Sequence, residues 1–398
     1  MFVSSMLMNC GFYALIPYLA VHLKEDLLWT ATLVGLLLGV RQMSQQGLMF
    51  LTGVLADRVG YRFMIVVGMF VRGIGFSLFG VFDSPPGMFF AAIIAALGGA
   101  MFEPTKDAAL TVLTPPEMRS RVFAIKKTVT QGGILLAAVV SAFLMSLSIQ
   151  ALAFFSGGIF LFLALLTFLR LPTIQVQDDK KLPFRQMWKT VLRDRHFLAL
   201  IVIVTGYWFL FMQIFMTIPM QAIAITGNDK AISLVNSVLA VVILLGQYPI
   251  NRLMTRFSVV MQVFIGLASM GAGVLVLGTT HSLTVFLIGF LFFASGSMVV
   301  EPANYEITTK LAKKELTATY FGFSYLAMAF GGGFGQSGSG WLLEVGERIG
   351  SPTLLWWISA GVAMLSMVGI VLLGRAMRRK EAREQTMFGG QEKPLPLG

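Results

Sequence analysis

The chain has 398 residues, of which 56% are hydrophobic and only 12% are charged, and its formal net charge at pH 7 is +11. Soluble domains carry about a quarter charged residues, so this composition excludes a soluble protein and indicates an integral membrane protein. The apolar stretches are roughly 20 residues long, the length of a bilayer-crossing helix, and the alternating segments of about 10 residues typical of transmembrane barrels do not occur.

Twelve apolar stretches predict twelve membrane-spanning helices. They cover residues 2–22, 30–52, 64–82, 88–112, 122–147, 150–171, 197–223, 231–251, 259–279, 283–309, 318–343 and 354–376. The fold class predicted is therefore an all-α membrane protein. We expect an N-terminal six-helix bundle over 1–171, a polar linker over 172–196, a C-terminal six-helix bundle over 197–376 and a tail over 377–398.

The distribution of charge predicts the orientation of these spans. Most of the 30 lysines and arginines follow even-numbered spans or lie in the tail, whereas Lys24, Lys230 and Arg348 fall on the other side. By the positive-inside rule, both termini and the linker are cytoplasmic, and the chain is a multi-pass protein of the cytoplasmic (inner) membrane. Because the excess charge is explained by topology, we expect no nucleic-acid partner.

Two stretches recur in the second half of the chain. The segment DRVGYR, with Asp57, Arg58 and Arg62, follows the second span, and NRLMTR follows the eighth. The pair Glu103-Pro104 in the fourth span recurs as Glu301-Pro302 in the tenth. Two related six-helix halves of the same orientation are typical of transporters that work by alternating access, with the substrate site between the halves.

At these motifs the sequence resembles the major facilitator superfamily. The stretch GVLADRVGYR carries the superfamily's signature between helices two and three, and the remaining residues of the resemblance are LGVRQMSQQGL, FEPTKDAAL, EPANYE and YFGFSYLAMAFGGGFG. These resemble the drug:proton antiporter branch, and in particular multidrug resistance proteins of the MdtH type. The resemblance implies a twelve-helix major facilitator fold with two pseudo-symmetric bundles.

The resemblance also implies a conformational latch, which we define as Gly53, Asp57, Arg58, Gly60 and Arg62. In the superfamily this segment lies on the cytoplasmic face and holds the two halves together in the outward-facing state. The residue types agree with that role, because Gly60 permits a tight turn and the arginines can pair with carboxylates or lipid headgroups.

Charged residues inside the spans need a reason, since each costs roughly 2.5 to 3.5 kcal/mol at mid-membrane. Helix rise places Glu103, Arg72 and Arg41 at similar depths, so that a Glu103–Arg72 or a Glu103–Arg41 pair is possible. Glu103 is either a proton carrier beside the cavity or a structural ion-pair partner, and we favour the proton carrier. Glu301, at the matching position, is the second proton-coupling candidate, unless it joins Glu306 and Lys310 in a charge network at the helix end.

Further polar and aromatic residues are candidates for the cavity wall. Arg41 and Gln45 share one face of the second span and, with Arg72, are expected to set the cavity electrostatics. The seventh span offers an adaptable wall for greasy substrates, or else ordinary packing, through Tyr207, Trp208, Phe211, Met212 and Gln213. Residues 331–335 are expected to permit close helix contact rather than chemistry.

The function predicted is export of amphipathic, cationic or zwitterionic small molecules in exchange for protons, by a monomer in the lipid bilayer. The fifth span reads VTQGGILLAAVVSAFL, without the Gly-Pro pair of the antiporter signature. This departure favours an alternative, a dedicated transporter of one metabolite, lipid or siderophore. A non-transporting receptor or scaffold is the alternative from another class. With no catalytic cluster, metal-ligand cluster or nucleotide-binding loop in the sequence, we expect no enzyme activity, no cofactor and no metal.

Overall fold

The computed structural model describes residues 2–115, 118–144, 147–171, 184–312 and 316–388. Their backbone is almost entirely helical, and one 3-10 turn, Met212–Phe215, lies between α8 and α9. The helices are α1 (Phe2–Glu25), α2 (Ala31–Val59), α3 (Tyr61–Leu78), α4 (Pro85–Leu113), α5 (Arg119–Leu144), α6 (Ile149–Arg170), α7 (Phe184–Arg193), α8 (Arg195–Phe211), α9 (Thr217–Thr226), α10 (Lys230–Met254), α11 (Val259–Thr279), α12 (Leu283–Leu311), α13 (Thr317–Arg348) and α14 (Leu354–Phe388).

Every predicted span coincides with a helix or, for the seventh, with α8, the 3-10 turn and α9 together. In the described part of the chain, nine of these segments are long and apolar enough to cross a membrane. The other three are α2, α5 and α13, whose polar and glycine residues lower their hydropathy. The all-α membrane fold is thus confirmed, and the count of twelve crossings stays a prediction.

The stretch GVLADRVGYR is mostly helix rather than loop. Helix α2 continues to Val59, seven residues beyond the predicted end of the second span. One residue, Gly60, joins α2 to α3 with a φ of 102°. A residue with a side chain rarely adopts this backbone conformation, which explains the glycine at the turn.

The predicted seventh span is interrupted by the 3-10 turn. Its freed backbone groups find partners through Gln213, whose amide donates to the carbonyls of Phe209 and Gly335 at 2.9 and 3.3 Å. The side-chain carbonyl of Gln213 accepts hydrogen bonds from the hydroxyls of Thr217 and Ser339 at 2.7 and 2.9 Å. A break in a membrane helix is tolerated when neighbouring groups satisfy the backbone in this way.

The predicted linker contains the amphipathic helix α7. The Trp188 ring contacts Phe323 of α13 at a centroid distance of 5.0 Å. Asp194 caps α8 and also accepts a hydrogen bond of 2.9 Å from the hydroxyl of Tyr320 on α13. Residues 172–183 of this linker and 389–398 of the tail lie outside the described residues. Helix α14 reaches Phe388, so the predicted tail begins as helix.

The internal repeat is visible in the packing of two helix pairs. Where α3 crosses α4, a Cβ on Gly68 would lie 2.8 Å from the Gly98 carbonyl oxygen. Where α11 crosses α12, the same construction on Gly266 gives 2.9 Å to the Gly296 carbonyl oxygen. These matched crossings permit close backbone approach. The boundaries of the two bundles stay a prediction.

The two halves meet along α2 and α13 and along α5 and α10. Successive spans run in opposite directions. We call the face where α1 begins and α14 ends the terminal face, and the opposite one the distal face. Near the distal face, the Thr32 amide donates to the Glu344 carboxylate at 2.8 Å, and the hydroxyls of Tyr18 and Ser233 lie 2.5 Å apart. The halves are therefore in contact on the distal side.

Candidate functional site

A cavity of about 610 Å³ lies between the two halves, within the size range of small-molecule sites. Its lining reaches the second halves of α4, α10 and α12 and the first halves of α5 and α13, which lie toward the terminal face. Because the distal side is held by contacts between the halves, the cavity extends toward the terminal face.

The cavity wall contains a predicted ion pair. The Arg72 guanidinium on α3 lies 2.8 Å from the Glu103 carboxylate on α4, and the Gln45 amide of α2 donates to the other carboxylate oxygen at 3.0 Å. The Glu103 side chain is 33% exposed and that of Arg72 only 2%. The carboxylate is therefore the member of the pair that solvent or a ligand in the cavity can reach.

Arg72 is enclosed by aromatic rings. Its guanidinium carbon lies 5.1 to 5.4 Å from the centroids of four rings, those of Phe12, Phe76, Phe102 and Phe160. Each such contact stabilises a desolvated cation by up to about 2 kcal/mol. The rings thus add favourable contacts to the guanidinium beside its ion pair with Glu103. The sequence did not indicate this enclosure, since the four phenylalanines lie on four different helices.

Arg41 lies behind the cavity wall. It is 1% exposed, does not line the cavity, and donates to the side-chain carbonyls of Gln45 and Gln42 at 3.3 and 3.4 Å. Its contact with Glu103 therefore runs through Gln45. The shared face of Arg41 and Gln45 is confirmed.

The second half contributes Glu301 and an aromatic surface. Four of the predicted wall residues, Tyr207, Trp208, Phe211 and Met212, line the cavity, whereas Gln213 is used in the bonds around the 3-10 turn. Glu301 lines the cavity as well. Among the described residues it takes no part in the ion pair that Glu306 and Lys310 form at 2.7 Å on the same helix.

Other polar groups at the cavity were not predicted as site residues. Asp107 of α4 forms an ion pair with Lys126 of α5 near the terminal mouth. Amide side chains from both halves also line the cavity, among them Gln131, Gln247 and Asn304. Glutamines inside the second span were predicted to face the cavity or another helix. The amide residues inside α5, α10 and α12 could have been predicted to line the cavity by the same argument.

Part of the predicted latch lies outside the described side chains. Gly53, Asp57 and Arg58 belong to α2, but their side-chain positions are not among those described. Arg62 donates to the backbone carbonyl of Phe168 at 2.6 Å, and its guanidinium carbon lies 5.4 Å from the centroid of the Phe168 ring. Together with Gly60 it fixes the turn between α2 and α3 beside α6, and the latch role itself stays a prediction.

The glycines of α13 allow close helix contact, as expected. A Cβ on Gly331 would lie 2.2 Å from the Thr205 carbonyl oxygen of α8, and one on Gly333 would lie 2.0 Å from the Met43 side chain of α2. These glycines therefore let α13 pack against both neighbours at once.

Comparison with known proteins identifies the family. A profile of the Major Facilitator Superfamily matches residues 1–227 and again 220–397. The chain belongs to the major facilitator superfamily. It is 30% identical to multidrug resistance protein MdtH of Proteus mirabilis (strain HI4320) over 381 residues, 95% of this chain and 94% of the relative. It is 31% identical to multidrug resistance protein MdtH of Yersinia enterocolitica over 370 residues, 92% of each chain.

Solved structures agree on the fold. The POT family transporter PepTSo superposes with a TM-score of 0.79 at 16% identity, covering 95% of this chain and 97% of the other. The nucleoside transporter NupG superposes with a TM-score of 0.77 at 15% identity, covering 94% and 97%. The resemblance found in the sequence is confirmed, and membership of the superfamily makes this chain a transporter of small molecules and not an enzyme.

Proposed function

We propose that this transporter exports amphipathic small molecules, including drugs, in exchange for protons by alternating access. The observation that carries the proposal is the Glu103 carboxylate, which faces the cavity from within a membrane helix and is paired with a buried arginine. The names of the relatives support the substrate class, since they are multidrug resistance proteins.

The proposed orientation places both termini in the cytoplasm and the chain, as a monomer, in the cytoplasmic (inner) membrane. It rests on the lysines and arginines that follow even-numbered spans. The terminal face is then cytoplasmic, and the structure represents a state open to the cytoplasm. The latch residues Asp57, Arg58 and Arg62 lie at that face, where closure would bring the halves together.

In the proposed cycle Glu103 carries the proton. Protonation removes its negative charge and ends the ion pair with Arg72. An isolated buried cation is costly, but the four rings around the guanidinium reduce that cost and keep it in place. When the cavity opens to the cytoplasm, the waiting guanidinium favours the ionised carboxylate and thus release of the proton. Gln45 and Arg41 modulate this balance through their hydrogen bonds.

The proposed substrate wall is the aromatic surface of α8. Tyr207, Trp208 and Phe211 form a cluster with ring centroids 5.0 to 5.9 Å apart. Aromatic rings and Met212 offer apolar contact that repacks around ligands of different shape.

The experiment is gradient-driven transport of a fluorescent cationic dye in proteoliposomes, comparing the unaltered protein with Glu103→Gln. We expect Glu103→Gln to bind the dye but lose transport driven by an imposed pH gradient. The matched control is Glu306→Gln, which removes an exposed carboxylate that pairs with Lys310 outside the cavity. This control should transport normally.

Full activity of Glu103→Gln would make Glu103 a structural residue and leave Glu301 as the proton site. If the unaltered protein moved no dye at any gradient, the multidrug proposal would fail. The dedicated transporter is the second candidate, and the amides of Gln42, Gln131 and Gln247 in the cavity favour it, because they suit a polar substrate. A binding screen with a broad panel of metabolites and drugs separates the two.

A further inference from the structure

The repeated helix pairs allow the surroundings of Glu103 and Glu301 to be compared position by position. The α3–α4 crossing and the α11–α12 crossing make equivalent glycine contacts. In the first half, Gly98 packs against the backbone nitrogen of Arg72. In the second half, Gly296 lies over the amide nitrogen of Met270. Met270 therefore occupies the position of Arg72, and it is fully buried.

The other partners of Glu103 are also absent from the matching positions. Leu239 takes the place of Gln45, by the spacing that relates DRVGYR to NRLMTR. Gly99 leaves space for the guanidinium, because a Cβ there would lie 2.2 Å from a terminal nitrogen of Arg72. Its counterpart is Ser297, which has a side chain. The second half thus has the carboxylate but not the side chains that pair with it in the first half.

The charges of the cavity are divided unequally between the halves. Six charged residues line the described cavity, and the first half supplies five of them: Arg72, Glu103, Lys106, Asp107 and Lys126. Four of these five form two ion pairs within that half. The remaining one, Lys106, lies 5.8 Å above the Phe102 ring and near Asp107 and Glu103. Glu301 is the single charge from the second half, and the described residues provide it with no ion-pair partner.

The neighbours of Glu301 suit an organic cation. The side chains of Tyr13, Tyr207, Tyr305 and Tyr325 lie within electrostatic range of its carboxylate and line the same cavity. The Tyr207 hydroxyl is buried without a hydrogen-bond partner in the described part of the structure. Aromatic faces attract a cation, and a hydroxyl can accept a hydrogen bond from an ammonium group.

We propose that Glu301 selects the charge of the transported molecule, binding an organic cation in the position that Arg72 occupies beside Glu103. This assignment rests on the proposed drug-export function and adds to it a binding group distinct from the proton site. The cation of the ligand then acts as the counter-ion that the described part of the second half does not provide for Glu301. Glu301 does not strengthen the binding of a molecule that has no cationic group.

The test uses two probes of the same shape and opposite charge, tetraphenylphosphonium and tetraphenylborate. Equilibrium binding to the purified full-length protein is measured in detergent without a pH gradient, for the unaltered protein, Glu301→Gln and the control Glu306→Gln. We expect Glu301→Gln to weaken binding of tetraphenylphosphonium by roughly tenfold or more and to leave or improve that of tetraphenylborate. Glu306→Gln should bind both probes as the unaltered protein does.

A second variant supplies the missing cation. In Met270→Arg combined with Ser297→Gly, the new guanidinium should pair with Glu301 and abolish the preference for tetraphenylphosphonium. Melting curves show which variants are folded, and Glu301→Gln alone decides the question if the double variant is not. The proposal is overturned if Glu301→Gln keeps the affinity for tetraphenylphosphonium, or if it weakens both probes equally. If the unaltered protein binds both probes equally, charge selection fails while drug export stands, and if it binds neither probe nor any dye, both fail.

Discussion

At the scale of single residues, the cavity depends on one ion pair with unequal exposure. The Arg72 guanidinium is planar, so it can pair with a carboxylate at its edge and stack on rings at its faces, which a lysine ammonium cannot do. Glu103, one third exposed, remains open to the cavity. Arg72 is therefore the enclosed member of the pair, and Glu103 is the member that a ligand in the cavity can reach.

We predict strong coupling between these two residues in a double-mutant cycle. Arg72→Met introduces the residue that stands at the matching position of the second half, Met270. Arg72→Met and Glu103→Gln should each lower the melting temperature, and the double variant should lose less than the sum. The expected interaction energy is about 1 to 3 kcal/mol, measured from thermal unfolding in detergent.

The exposed pair Glu306–Lys310 provides the comparison cycle. Both of its side chains are about half exposed, so its coupling should not exceed about 0.5 kcal/mol. Equal coupling in the two cycles would contradict the view that burial and the aromatic enclosure set the strength of the Arg72–Glu103 pair.

At the scale of helices, the contact between α2 and α13 depends on the absence of side chains. A Cβ on Gly340 would lie 2.0 Å from the carbonyl oxygen of Ala31, and one on Gly35 would lie 2.4 Å from that of Gln336. Backbone atoms cannot move aside as a flexible side chain does. These glycines therefore fix how closely the halves approach near the distal face.

Gly340→Ala is expected to destabilise the closed distal contact. Forcing a methyl group into a packed interface costs typically about 1 to 3 kcal/mol, so the apparent melting temperature should fall. Gly47→Ala is the matched control, because Gly47 lies on α2 and a Cβ added there would have nothing within 4 Å. A fall of equal size in both variants would show that helix propensity, and not the contact, is responsible.

At the scale of the whole molecule, the halves are held together at the distal side by hydrogen bonds as well as packing. The Glu344 carboxylate near the end of α13 accepts from the Thr32 amide at the start of α2. Among the described residues, this bond satisfies one of the free amides of the first turn of α2, which no carbonyl of α2 itself can reach.

Glu344→Ala should open the distal face more often. We expect faster hydrogen–deuterium exchange of the amides at the start of α2 and the end of α13, where the bond is lost. Glu347→Ala, an exposed position on the same helix, should leave exchange unchanged. Unaltered exchange in Glu344→Ala would mean that glycine packing alone keeps this side closed.

The sequence predicted the helices well and their contacts only in part. Hydropathy places spans because the bilayer sets their length, yet it could not show that α2 continues through the DRV segment or that α8 ends before a 3-10 turn held by Gln213. Helix rise predicted that Glu103 and Arg72 lie at similar depths in the membrane, and the structure contains the ion pair between them. The rings around Arg72 come from four helices, and the pairing of Asp107 with Lys126 joins two, so both depend on helix packing that no single stretch encodes.

The unequal division of charge between the halves has a consequence for the energy source of transport. In the proposed cycle Glu301 binds the cation and Glu103 carries the proton. One proton then enters for each monovalent cation that leaves, and no net charge crosses the membrane. A neutral molecule exchanged for one proton would also draw on the membrane potential, about 2.3 kcal/mol per 100 mV, whereas a monovalent cation would not. Export of such a cation would thus stop in cells whose interior pH equals that outside.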